Sequence, residues 1–127
     1  MRVLLADDSS LILERLQEML SKFKAVEIVG LCKNGTETLE TLRIMKPDLA
    51  VVDIHMPGLN GLGVLSEIRK ENKTIQFIIL TLFSSDDYRQ KAIQAGADFF
   101  FDKADDFEKV SQVVSSMVEK DTMKLIT

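Results

Sequence analysis

Residues 49–61 read LAVVDIHMPGLNG. Four apolar residues, Leu49–Val52, end at an acid, Asp53, and then run into a loop dense in turn formers. A short apolar run of this kind, without alternation, predicts a strand buried on both faces. The loop holds Pro57, Gly58, Asn60 and Gly61, and the apolar residues Leu62, Leu65 and Ile68 behind it fall at helical spacing. A buried strand, a loop and a helix are one unit of a parallel sheet with crossover helices.

The same unit recurs along the chain. Arg2–Ala6 stops at Asp7-Asp8, and Ser9 or Ser10 caps a helix carrying Leu11, Ile12, Leu16, Met19, Leu20 and Phe23. Val26, Ile28, Val29 and Leu31 read as a second strand, followed by a helix that starts near Asn34-Gly35-Thr36 and is stopped by Pro47. Gln76–Leu80 is a fourth strand ending at Thr81. It precedes a helix capped within Ser84-Ser85-Asp86-Asp87 and closed by Gly96. Phe99–Phe101 is a fifth strand ending at Asp102-Lys103. Asp105-Asp106 is expected to open a last helix with Phe107, Val110, Val113, Val114, Met117 and Val118. Five strands each followed by a helix predict an α/β fold, a parallel sheet covered on both faces. Right-handed crossovers restrict its topology. The 127 residues suit one domain, 1–127, with a frayed tail over about 120–127.

Composition narrows the function. Sixteen Lys and Arg stand against 20 Asp and Glu, a net charge of −4. A domain built to grip nucleic-acid phosphates shows a basic excess, so direct DNA binding is not expected. No apolar run approaches the roughly 20 residues of a membrane span. The start, with Asp7-Asp8 close behind a short apolar run, is not expected to be a signal peptide. A single cysteine, Cys32, leaves no internal disulfide and suits a reducing cytoplasm.

The acids gather where ligands bind in open parallel sheets, outside the carboxyl ends of the strands. Asp7 and Asp8 follow the first strand, Asp53 the third, Thr81 the fourth and Lys103 the fifth. Clustered carboxylates repel one another and have raised pKa values unless a cation compensates. Mg²⁺ relieves that conflict through oxygen ligands. An Asp carboxylate is also a nucleophile for phosphorus, and the transferred group is anionic and calls for a metal and a Lys. Each position alone has a plainer reading. Asp7-Asp8 serves equally as a helix cap, Asp53 as a turn residue, Thr81 as a β-branched strand residue and Lys103 as a solvated charge.

Taken together, Asp7-Asp8, Asp53 with Met56-Pro57-Gly58, Thr81, Ala95-Gly96-Ala97-Asp98 and Lys103 resemble the receiver domain of bacterial two-component response regulators, in its stand-alone form. The resemblance runs from Val3 to about Val118. It implies a flavodoxin-like five-stranded sheet of order 2-1-3-4-5 with five helices on both faces. It implies that Asp53 accepts a phosphoryl group from a sensor histidine kinase or a phosphotransfer protein. Asp8 would bind Mg²⁺ directly, Asp7 through water, with Asp53 and the backbone carbonyl of His55 completing the ligands. Thr81, the backbone amide of Leu82 and Lys103 would contact the phosphoryl group, and Phe100 would act as a switch residue. The output would be a protein-binding surface for a downstream target, drawing on Phe83, Tyr88 and Phe100. A homodimer through the fourth helix, fifth strand and fifth helix is the oligomer considered.

Three positions depart from the family pattern. Ala104 stands where a cis-joined Pro is usual, so Lys103 is expected to be held less firmly. Leu82 stands where a small residue is usual and is expected to crowd the site. Phe100 replaces a common Tyr; lacking a hydroxyl to satisfy outside, its ring is expected to sit inward. The first two favour an alternative, a receiver-like scaffold that binds a partner without phosphorylation. A phosphatase of the haloacid dehalogenase type wants a second Asp at the position of His55. A flavodoxin would not place Asp7-Asp8 in its phosphate loop.

Overall fold

The computed structural model describes residues 1–126. These residues form β1 (Arg2–Ala6), α1 (Ser10–Leu20), β2 (Glu27–Cys32), α2 (Gly35–Met45), β3 (Leu49–Val52), α3 (Gly61–Arg69), β4 (Gln76–Thr81), α4 (Asp86–Ala95), β5 (Phe99–Asp102) and α5 (Lys109–Ile126). All strand pairs are parallel, as the alternation of strands and helices predicts, and the sheet order is β2-β1-β3-β4-β5, the flavodoxin-like arrangement that the receiver resemblance implies. Among the described residues no helix is long and apolar enough to cross a membrane.

Strand residues alternate between two cores, as the pleat requires. Leu4, Ala6, Ala50, Val52, Phe77 and Ile79 face one way and pack with Leu42 of α2, Val64, Leu65 and Ile68 of α3, and Ala92 of α4. Val3, Leu5, Leu49, Val51, Ile78 and Leu80 face the other and pack with Leu13, Leu16 and Leu20 of α1 and Val110 and Val114 of α5. All four residues of β3 are buried, which is why its sequence shows no alternation. The N-caps are Ser9, Asn34, Asn60 and Ser85, each with a side-chain oxygen accepting from a backbone N–H inside its helix. Gly96 ends α4 at φ 107°, a conformation that suits glycine.

Two boundaries at the C-terminal end differ from the expectation. The last helix does not open at Asp105-Asp106 but at Lys109. The reason is local: the side chains of Asp102 and Asp106 accept backbone N–H groups within residues 102–106 and hold that stretch as a turn. In addition, α5 continues past Lys120, where a tail was expected, to Ile126. Residues 119–126 hold Glu, Lys, Met and Leu without Gly or Pro, which lets the helix propagate.

Candidate functional site

β1 and β3 are neighbours in the middle of the sheet, so the residues that follow them are neighbours too. Asp7 N donates to Cys32 O at 2.9 Å and Asp53 N to Ala6 O at 3.0 Å, extending the ladder one residue past each strand. The side chains are held as tightly as the backbone. Asp7 Oδ1 accepts from Ser9 N at 2.9 Å, and Asp53 Oδ1 from Ile54 N at 2.7 Å. Ligand oxygens of Asp7, Asp8 and Asp53 lie within 4.8 Å of one another.

Lys103 closes this cluster from β5. Its ammonium lies 2.6 Å from Asp7 Oδ2 and 2.9 Å from Asp53 Oδ2, and its side chain is only 8% exposed. Burial pushes the Asp7 carboxyl above its usual range, against the hydrogen bonds from Lys103 and Ser9. Burial alone would lower the Lys103 pKa, but the bonds and charges of Asp7 and Asp53 outweigh it and hold it above its ordinary value. Asp8 is exposed and takes neither of the two Lys103 contacts. Two of the three clustered carboxylates therefore share one ammonium, and the set of hard oxygens fits a hard divalent cation such as Mg²⁺.

Asp53 itself is buried, where an acid at a sheet edge is expected to be exposed. Lys103, fifty residues on, bonds its carboxylate, and Gly61 at the start of α3 lies against its backbone. A Cβ on Gly61 would lie 2.1 Å from Asp53 O, so only glycine allows α3 to approach this closely. In the sequence Gly61 has only the signature of a turn former; its role depends on how closely α3 packs on Asp53.

Thr81 is fully buried, and its hydroxyl oxygen accepts from Phe83 N at 3.1 Å. Lys103 N donates to Thr81 O, joining the ends of β4 and β5. Leu82 does not fill the site; it is 64% exposed at the rim. Phe83 is also exposed, and its ring centroid lies 3.9 Å from that of the exposed His55. The half-buried Tyr88 completes the cluster at 5.9 Å from His55. The His55 ring thus packs with Phe83 and Tyr88 at the rim of the site. The carboxylates, Lys103, His55 and Phe83 line one cleft of about 480 Å³.

Phe100, expected with Phe83 and Tyr88 at the partner surface, does not share it, because its side chain is buried. Its ring is inward, 5% exposed, in the core beside α3 and α4. Arg89 lies over it, with the guanidinium carbon 4.9 Å from the ring centroid. Lys103 is not held less firmly for want of a proline. Among the described residues there is no cis peptide bond, and the turn after Lys103 is made by the Asp102 carboxylate, which accepts from Ala104 N at 2.7 Å and Asp105 N at 3.0 Å. The Asp102 and Asp106 carboxylates of this stretch are engaged with backbone groups and open no helix. The signal for the turn was an Asp two residues before the position that lacks the proline.

The profile of the response regulator receiver domain matches residues 3–122. A curated relative, protein-glutamate methylesterase/protein-glutamine glutaminase 1 of Methanospirillum hungatei, is 33% identical over 121 residues. That match takes in 94% of this chain and 35% of the relative, so the chain spans about a third of that protein's length. Among solved structures, the response regulator domain of Thermotoga maritima CheB aligns with a TM-score of 0.82 at 27% identity, covering 94% of each chain. The receiver domain of the putative regulator NarL from Mycobacterium tuberculosis aligns at 0.84 with 26% identity, over 93% of this chain and 95% of that one. A CheX–CheY–BeF₃–Mg²⁺ complex from Borrelia burgdorferi contains a chain that aligns at 0.83 with 25% identity, over 92% of this chain and 88% of that one. With strand order, acidic cluster and profile in agreement, the chain belongs to the response regulator receiver domain family.

Proposed function

We propose that the chain is a phosphorylation-dependent switch, a single receiver domain over residues 1–127 in which Asp53 accepts a phosphoryl group. One observation carries this reading: a buried ammonium, Lys103, bridges two carboxylates in a cluster of three at the carboxyl ends of neighbouring strands. An Asp53 oxygen attacks phosphorus as the bond to the donor's nitrogen or oxygen breaks. Lys103 and the Thr81 hydroxyl then hold the oxygens of the bound group, with the Leu82 amide beside them. Asp7, Asp8, Asp53 and the His55 carbonyl would hold Mg²⁺, which supplies charge neutralisation for the transfer. The donor is a sensor histidine kinase or phosphotransfer protein, and the product is an altered surface near Phe83 and Tyr88 for a protein target in the cytoplasm. The chain is not read as an enzyme toward another substrate, and the esterase activity of the curated relative is not carried over to it.

The scaffold reading, without phosphorylation, drew on Leu82 and Ala104. Leu82 is exposed at the rim and Lys103 is firmly held, so neither feature favours it now. The decisive experiment is incubation with Mg²⁺ and acetyl phosphate, read by intact mass. A gain of one phosphoryl group that maps to Asp53 supports the proposal. No gain with acetyl phosphate or with a phosphorylated kinase domain would leave the scaffold reading in its place.

A further inference from the structure

We propose that Asp102 is the positioning residue for Lys103, fixing the ammonium on Asp7 and Asp53 by shaping the turn behind it. The inference rests on the reading of Lys103 as a phosphoryl contact, and it goes beyond that reading to ask what holds the lysine.

Lys103 lies between a strand and a turn. On its N-terminal side β5 ends at Asp102, and Lys103 N is tied to Thr81 O. On its C-terminal side nothing regular follows until Lys109. An exposed alanine, Ala104, comes next and gives the backbone no stiffness of its own. A lysine placed there would swing, because its side chain has many rotamers to lose. It is nevertheless buried and bridges two acids.

The Asp102 carboxylate accounts for the difference. Oδ1 accepts from both Ala104 N and Asp105 N, folding the chain around Lys103 into an Asx turn. Oδ2 accepts from the Ser84 hydroxyl in the loop between β4 and α4. Asp106 completes the lashing in reverse: its Oδ2 accepts from Asp102 N at 3.0 Å, and its backbone N donates to Asp102 O at 2.8 Å. From the far side, Arg15 of α1 places its guanidinium carbon 4.8 Å from the Phe107 ring centroid, just past the turn. Asp102 is the residue at the centre, since its side chain bonds the turn ahead of it and the β4–α4 loop beside it. The hydrogen bonds from Ser84, Asp105 and Ala104 hold its carboxyl below the usual range, so it is ionised and acceptor-only at neutral pH.

The requirement is geometric, which makes it separable from charge. An Asn at 102 keeps an acceptor oxygen at the same reach without the charge. A Glu keeps the charge but sets the acceptor one methylene too far for the turn. Asp102→Asn, Asp102→Glu and Asp102→Ala are therefore compared by the rate at which Lys103 is acetylated by acetic anhydride, followed by peptide mass spectrometry without Mg²⁺ or phosphodonor. In the wild-type protein and in Asp102→Asn, Lys103 should be protected. In Asp102→Glu and Asp102→Ala its labelling should rise about tenfold, the effect of losing roughly one net hydrogen bond. Labelling of the exposed Lys70 and Lys91 should not change and serves as the internal standard. Phosphoryl uptake from acetyl phosphate is measured in parallel and should fall in the Glu and Ala variants only. Equal protection in all four proteins overturns the proposal, and so does protection that follows charge, with Glu protected and Asn not. Because the labelling needs no phosphoryl transfer, a wild-type protein that takes up none would overturn the functional reading while the role of Asp102 is still decided.

Discussion

α3 and α4 are nearly the same length and cover the same face of the sheet, yet they are attached differently. α3 buries Gly61, Val64, Leu65 and Ile68, while α4, among the described residues, buries Ala92. α3 follows the loop that leaves Asp53, and Gly61 rests directly on the Asp53 backbone. α4 follows the loop that leaves Thr81, where Leu82 and Phe83 are exposed. The cleft therefore has a fixed wall and a lightly held one. Interior packing resists displacement, and elements with few buried contacts are the ones that shift at low cost. Under the proposed function the acceptor Asp53 stands on the fixed wall, and Thr81, itself buried at the end of β4, leads into the lightly held one. Ser84, bonded to Asp102, is a polar hold on the loose side that a movement of Thr81 would have to break or carry along.

The largest effect should come from the fixed wall's own acid. Asp53→Asn should abolish phosphoryl uptake, because a carboxamide does not replace the carboxylate nucleophile. The fold should survive, since Lys103 retains Asp7 and the Asn oxygen can still accept from Ile54 N. Intact mass after acetyl phosphate treatment, with circular dichroism as the control, checks both halves. Full labelling of this variant at another residue would remove Asp53 from its role.

Packing on that wall should be nearly as sensitive. Leu65→Ala deletes a fully buried side chain from the α3 core and should cost about 2–5 kcal/mol in urea unfolding. A loss well under that range would mean that α3 relaxes as easily as α4, and the contrast between the two helices would fail. The proposed Mg²⁺ site includes the same Asp53. By mass action the ion should raise the melting temperature of the wild-type protein, and Asp8→Ala should blunt that rise. An undiminished shift in the variant would move the metal away from Asp8.

The fixed wall was legible in the sequence and the loose one was not. LAVV followed by Asp53 reports its own burial, because a strand covered on both faces has no polar residue to show. The cluster of Asp7, Asp8 and Asp53 followed from strand ends alone. The burial of Asp53 did not, since it depends on Lys103 reaching across from fifty residues away. Nor did the start of α5: Asp105-Asp106 has the composition of a helix cap, but the carboxylates of Asp102 and Asp106 are engaged with backbone groups in a turn. The run Phe99–Phe101 shows the same limit. Only Phe100 is buried; Phe99 is 37% exposed at the sheet edge, because β5 has a neighbour on one side, β4. Sequence composition does not distinguish an edge strand from a central one when three of its four residues are phenylalanine.

A smaller effect is expected on the loose wall, and it is kinetic. The Phe83 ring lies against His55 at the mouth of the cleft, and Phe83 offers no side-chain group to bond a water. Loss of the phosphoryl group needs a water in line with the bond to Asp53. Phe83→Glu breaks the ring contact and adds an acceptor for that water. The decay of phosphorylated protein, followed by intact mass after removal of the donor, should become several-fold faster. An unchanged rate would show that shielding by Phe83 does not set the lifetime.

The smallest effect should be the absence of one. Ile93 points outward from α4 and is 59% exposed, so its side chain adds little to the core. Ile93→Ser should change unfolding free energy by no more than about 0.5 kcal/mol, the range typical of surface sites. The same kind of change on α3, removal of a large apolar side chain, is expected to cost several times more. If Ile93→Ser destabilises the protein as Leu65→Ala does, α4 is anchored by contacts that its single buried residue does not reveal. The Thr81 side of the cleft would then be as fixed as the Asp53 side, and the movement would have to lie in the Leu82–Ser85 loop alone.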